Sequence, residues 1–176
     1  MKSILVAVDG SSHADKAASL ATDLAVKFGA DLGIVHVLDN SRLTPEAKHM
    51  VEVEFAEEVR HHALASDVEV VRGIGKIGMQ PLLLQHAEMD RVIRTALDDG
   101  LLKKYARLAK GKGAKAVTTH LELGDPAQSV LDVAKACKAD TIVVGSRGMS
   151  DLAGMFMGSV SHKVAHLADA TVITVK

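Results

Sequence analysis

Five short apolar runs are spread along the chain, with helix-periodic stretches between them: SILVAV at 3–8, LGIVHVL at 32–38, AVTTHLEL at 116–123, Thr141 to Val144, and ATVITVK at 170–176. Each is bounded by turn residues, and most are rich in β-branched side chains, which suits strands. Strands that alternate with helices pair in parallel, because each helix carries the chain back to the starting edge of the sheet. The first run is apolar nearly throughout, as a strand covered on both faces must be, and it belongs near the centre. After it, Asp9-Gly10-Ser11-Ser12 makes a turn whose serines can cap a helix. Ala14, Ala17, Ala18, Ala21, Leu24, Ala25 and Phe28 then recur on one helical face, with Gly29 placed to end it. The expectation is an α/β fold: an open, mostly parallel five-stranded sheet with helices on both faces.

The stretch ADTIVVGSRGMSDLAGMFMGSVSHKV, residues 139–164, carries the chemistry. The strand ends at Val144-Gly145, Gly148 follows, and nine residues later Gly158-Ser159 opens a helix with Val160, Val164, Leu167 and Ala168 on one side. Glycine permits positive φ and close approach of the backbone to a ligand. The first N–H groups of a helix lack intrahelical acceptors and carry its positive dipole end, so strand, glycine loop and helix start together favour an anion such as phosphate. Ser159 can cap the helix or contact a phosphate oxygen, Ser146 and Arg147 can add side-chain contacts, and Lys163 can approach from the helix. The same residues also suit a plain turn, and Arg147 equally suits a solvated loop charge.

The spacing is the G-x2-G-x9-G-S pattern of the nucleotide-binding branch of the universal stress protein family, which the chain resembles from end to end apart from a longer middle. The resemblance implies a Rossmann-like, adenine nucleotide alpha hydrolase-like fold that binds ATP or another adenine nucleotide. It places the nucleotide against Val144, Gly145, Ser146, Arg147, Gly148, Gly158, Ser159 and Val160, with the phosphates on the loop from Gly145 to Gly148 and at Gly158, Ser159 and Val160. It also places Asp9 at the adenine end, with Ala7 and Val8 lining the same pocket, Val37 as a further adenine contact, and Gly124 nearby in a Gly-Asp-Pro turn. Mg2+ is expected to bridge phosphate oxygens with water rather than sit in an all-protein cage. A homodimer formed through the last strand, 171–175, follows from the same resemblance, and an apolar edge strand of that kind needs a partner.

Composition sets the exclusions. A chain of 176 residues suits one domain with a sizeable core, 1–176, in which 40–113 forms an extended middle segment. Net charge is −1, which gives no electrostatic case for nucleic acid or an anionic membrane. Aromatic content of 2% argues against base-stacking platforms. No apolar run approaches the ~20 residues of a membrane span, MKSILVAVDG is too short for a signal h-region, and the single Cys137 permits no internal disulfide, so a cytoplasmic protein is expected.

Within the middle segment, 44–64 reads as a helix behind Thr44-Pro45, 67–72 as a strand or linker, and 80–109 as helical with an interruption near Asp99-Gly100. Gly73 to Gly78 matches G-x-G-x-x-G, yet the region about 20 residues on looks helical where a dinucleotide site needs a strand. After the third strand, Asp125 caps and Pro126 starts a helix that carries Ala127, Val130, Leu131, Ala134 and Cys137 inward. Cys137 reads as a small hydrophobe. His36 reads as a strand residue with a satisfied imidazole, and His162 as an exposed helix residue. Asp9 and Asp151 sit near the motif without evident catalytic partners, and the nine histidines show no metal-ligand spacing. The preferred function is a nucleotide-dependent regulatory or stress-response module with an unknown protein partner. A slow ATPase or nucleotide-transferring enzyme, and an interaction module with a structural glycine loop, are the alternatives.

Overall fold

The structure, a computed structural model, describes residues 1–38, 99–148 and 157–176. The chain falls into two compact units, Met1–Asn40 with Leu101–Lys176 and, separately, Ser41–Gly100. The expected helix over 44–64, the run at 67–72, the glycine cluster at 73–78 and Asp151 lie outside the described residues.

In chain order the described elements are β1 (Ser3–Ala7), α1 (Ser12–Phe28), β2 (Asp31–Leu38), a helix over 99–111 (α2), β3 (Val117–Leu123), α3 (Pro126–Ala136), β4 (Thr141–Gly145), α4 (Ser159–Leu167) and β5 (Thr171–Val175). Residues 99 and 100 are helical and continue into α2; the residues before them, which the expected interruption near Asp99-Gly100 also concerns, lie outside the described residues. The strands form one all-parallel sheet in the order β3-β2-β1-β4-β5. β1 lies at its centre, as its unbroken apolar run requires.

Side chains alternate between the faces with the period of a strand. Ile4 and Val6 of β1, Leu32 and Ile34 of β2 and Val143 of β4 pack with the alanines of α1 and with Leu102, Tyr105 and Ala109 of α2. Leu5, Val35, Ile142 and Val144 turn the other way, toward Ala127, Val130 and Val133 of α3 and Val164 of α4. Burying each of the larger aliphatics fully is worth about 1.5–3 kcal/mol, so the two-faced sheet is the main source of stability.

Local signals explain the helix ends. The Ser11 hydroxyl accepts the Ala14 N–H at 3.2 Å, and Gly29, at φ 64°, closes α1 in the left-handed region. Phe28, expected on the inner face, is 55% exposed; Thr22 is buried instead, its hydroxyl donating to the Ala18 carbonyl at 2.7 Å. At the opposite end of the strands, the Asp140 carboxylate accepts the backbone N–H of Lys2. That bond is the chief cause holding its carboxyl below the ordinary range. The Asp140 backbone N–H donates to Ser3 and its carbonyl accepts from Thr171, tying β1, β4 and β5 together.

Candidate functional site

Strand order decides where a ligand can sit. From β1 the chain runs outward to β2 and β3, then crosses back to β4 and β5 on the other side of β1. The carboxyl ends of β1 and β4 therefore flank the point where the winding reverses, the usual ligand crevice of an open α/β sheet. Asp9 follows β1 there, and Gly145 to Gly148 follow β4.

The two loops converge. A Cβ placed on Gly148 would lie 2.7 Å from Asp9 Oδ2, so any larger residue would collide with that carboxylate. Asp9 Oδ1 accepts the Ser11 N–H at 3.0 Å, an Asx turn, and Gly10 takes φ 83° beside it. Gly145 is needed for a different contact. A Cβ there would come within 2.9 Å of His13 Cβ and 3.0 Å of the His13 carbonyl carbon, in the first turn of α1. His13 is thus packed against the glycine loop, and no spacing in the sequence marks it.

The start of α4 differs from expectation in one respect. Gly158, not Ser159, is the N-cap, with φ −73° and no side-chain cap; Ser159 is the first helical residue and is exposed. The first intrahelical bond runs from the His162 N–H to the Gly158 carbonyl at 3.0 Å, which leaves the N–H groups of Ser159, Val160 and Ser161 without intrahelical acceptors. Ser161, missed in the sequence, is 3% exposed, and its hydroxyl donates to the carbonyls of Ser146 and Gly158, each at 3.0 Å. The Gly158 N–H also donates to Ser146 O at 2.7 Å, and a Cβ on Gly158 would stand 3.4 Å from that same carbonyl. Ser146 is buried and its N–H donates to the Val175 carbonyl at 2.6 Å, so that N–H serves β5 and not a ligand. Arg147 is half-buried in the loop.

Ala7, Val37, Val144 and Val160 pack into one apolar cluster on the α3–α4 side of the sheet. Val8, expected to line the same pocket, sends its side chain to the opposite cluster with Ile4 and Val6, because adjacent strand residues face opposite ways. Its carbonyl instead accepts the Nδ1–H of buried His36 at 2.6 Å.

On the same side, Gly124 at φ 140° donates its N–H to Leu38 O at 3.4 Å, which anchors the Gly-Asp-Pro turn to the end of β2 beside Val37. Asp125 caps α3 by accepting the Gln128 N–H at 2.8 Å. That bond, and secondly the Lys163 ammonium at 3.1 Å, hold its carboxyl below the ordinary range. Lys163, expected to reach toward phosphate, pairs with Asp125 and joins α4 to α3. His162 is exposed, and half-buried Cys137 places its Sγ 3.5 Å from His120 Nε2.

The family model "Universal stress protein family" matches residues 1–176. This chain belongs to the universal stress protein family. Universal stress protein YxiE of Bacillus subtilis is 31% identical over 176 residues, covering 98% of this chain and 97% of the relative. A universal stress protein of Thermus aquaticus is 30% identical, over 99% of this chain and 98% of the relative. Among solved universal stress proteins, UspA from Lactobacillus plantarum superposes with a TM-score of 0.67 at 21% identity, covering 99% of this chain and 97% of that one. A second, described as a complex with cAMP, gives 0.57 at 22% identity over 99% and 95% of the chains. A third, from Archaeoglobus fulgidus and in complex with dAMP, gives 0.55 at 20% identity over 100% and 98%. At these identities the solved structures establish the shared fold. Among the described residues no group of three or more His, Cys, Asp or Glu side chains is placed to hold a metal, and no helix is long and apolar enough to cross a membrane.

Proposed function

We propose that this universal stress protein binds an adenine nucleotide, ATP with Mg2+, and acts as a nucleotide-dependent regulatory module of the stress response. One observation carries the reading: the N-terminus of α4, with three backbone N–H groups lacking intrahelical acceptors, opens beside a glycine loop at the point where the sheet's winding reverses. Backbone N–H groups at a helix start suit phosphate oxygens. Ser159 is exposed at that start and adds a hydroxyl. Ala7, Val37 and Val160, partly buried against the core that holds Val144, would supply an apolar wall of the kind a base requires, with Asp9 at the end of β1 to receive the adenine side. That two solved family members are described as complexes with cAMP and dAMP supports the choice of adenine. Mg2+ would be carried on the phosphates with water completing its shell.

The reading is of binding, and turnover of the bound nucleotide is the alternative that its hydrolysis would reveal. In the same proposal the protein works in the cytoplasm as a homodimer joined along β5, Thr171–Val175, with a regulatory protein partner. The test is direct: denature the purified protein and identify the released small molecules. ATP or another adenine nucleotide from the native chain, and none from a folded Gly158→Leu variant, supports the proposal. Absence of nucleotide, with no uptake of added Mg-ATP, refutes it. Hydrolysis of bound ATP above the rate of the Gly158→Leu control would favour the slow ATPase instead.

A further inference from the structure

We infer that Ser161 is a positioning residue for the phosphate end of the site, acting through Ser146 and Gly158 without touching the ligand; this rests on the nucleotide reading above. The Ser146 carbonyl is a hub. It accepts the Gly158 N–H at 2.7 Å and the Ser161 hydroxyl at 3.0 Å, while the Ser146 N–H is fixed to Val175 at 2.6 Å. The backbone on each side of Ser146 is therefore tied, to β5 on one side and to the start of α4 on the other. Ser161 also reaches the Gly158 carbonyl at 3.0 Å, so one hydroxyl spans both ends of the chain segment that leaves β4 and returns at α4.

A helix usually receives this bracing from a side chain at its N-cap. Here the N-cap is Gly158, with no side chain to give, and a Cβ on it would stand 3.4 Å from the Ser146 carbonyl. Glycine at that point lets the N-cap lie close to the Ser146–Arg147 backbone, and the bracing comes from inside the fold. Ser161 is 3% exposed, and its single hydroxyl proton is directed at protein carbonyls, so it is not placed to donate to a phosphate. What it governs is the offset between the α4 N–H groups and the loop after β4. Backbone donors bind an anion well only when their geometry is fixed beforehand, because ordering them at the moment of binding subtracts from affinity. A side chain present merely to fill space would be replaced by alanine without consequence, since only one oxygen is lost.

The experiment uses the full chain as wild type, Ser161→Ala and Ser161→Thr. Mg-ATP and adenosine affinities are measured beside the melting of each ligand-free protein. Ser161→Ala should weaken ATP by about tenfold, the scale of one hydrogen bond, and leave adenosine binding unchanged, while Ser161→Thr keeps ATP binding. If Ser161→Ala does not fold, Ser161→Cys, which keeps the shape with a weaker donor, replaces it. Equal ATP affinity in wild type and Ser161→Ala overturns the inference alone. So does parallel loss of ATP and adenosine, or a Ser161→Thr variant as weak as Ser161→Ala. A wild type that takes neither ATP nor adenosine overturns the nucleotide reading and this inference with it.

Discussion

At Gly145 the end of β4 passes so near the first turn of α1 that a Cβ would meet His13 backbone at 3.0 Å and Ala14 N at 3.2 Å. Gly145→Ala should therefore cost about 1–3 kcal/mol in a denaturant melt, because two backbones must separate. Gly111→Ala, at a helical position with nothing within 4 Å, should instead gain about 0.5–1 kcal/mol. Gly145, Gly148 and Gly158 all lie outside the positive-φ region, where only Gly10, Gly29, Gly113 and Gly124 appear among the described glycines. Their spacing was legible in the sequence, but the reason for them was not: a sequence records a missing Cβ, not what occupies its place. Tyr105 offers a second residue-scale test. Burial first, and then the Asp15 carboxylate that accepts its O–H at 2.6 Å, push the phenol well above its usual 10. The fold thus favours the neutral phenol, while the unfolded chain ionises near the ordinary value, so stability should fall as pH rises above about 10. Tyr105→Phe should flatten that alkaline decline in melting temperature; an unchanged slope would contradict the assignment.

Among the elements, α1 was nearly complete in the sequence, since Ser11, Gly29 and the alanine stripe are local signals that tertiary packing does not override. The shorter α4 was less legible. Its apolar stripe included Leu167, which is half exposed, and omitted Ser161, which is buried. A hydroxyl turns inward only when carbonyls wait for it, and the two that do come from Ser146 and Gly158, the first of them 15 residues earlier in the chain. Val164 is the apolar anchor of α4, with no exposed surface, and Val164→Ala should cost about 2 kcal/mol in thermal or denaturant unfolding. The junction of β1 with β4 makes a prediction in acid. With its carboxyl held below the ordinary 3.8, Asp140 adds stability above that value and loses it as pH falls further. Asp140→Asn should make the acid limb of the stability curve shallower below about pH 4, read as melting temperature against pH.

For the whole molecule, alternating strands and helices were enough to foresee an α/β parallel sheet with β1 inside it. They could not give the order β3-β2-β1-β4-β5, because alternation says how neighbours in sequence pair and not on which side of β1 the chain resumes. That order is what brings Asp9 to Gly148, two residues far apart in sequence, and the division of Ala7 and Val8 between opposite faces follows from the pleat once the sheet is in place. The open edge of β5 makes the oligomeric proposal testable: sedimentation at micromolar concentration should give twice the chain mass, and monomer alone would contradict it. Nucleotide binding itself is tested most directly by titration calorimetry of Mg-ATP into protein freed of any carried-over nucleotide. Saturable binding by the wild type, lost in a Gly158→Leu variant that still melts cooperatively, is the predicted result. No binding of ATP, ADP or AMP to folded wild-type protein would contradict it.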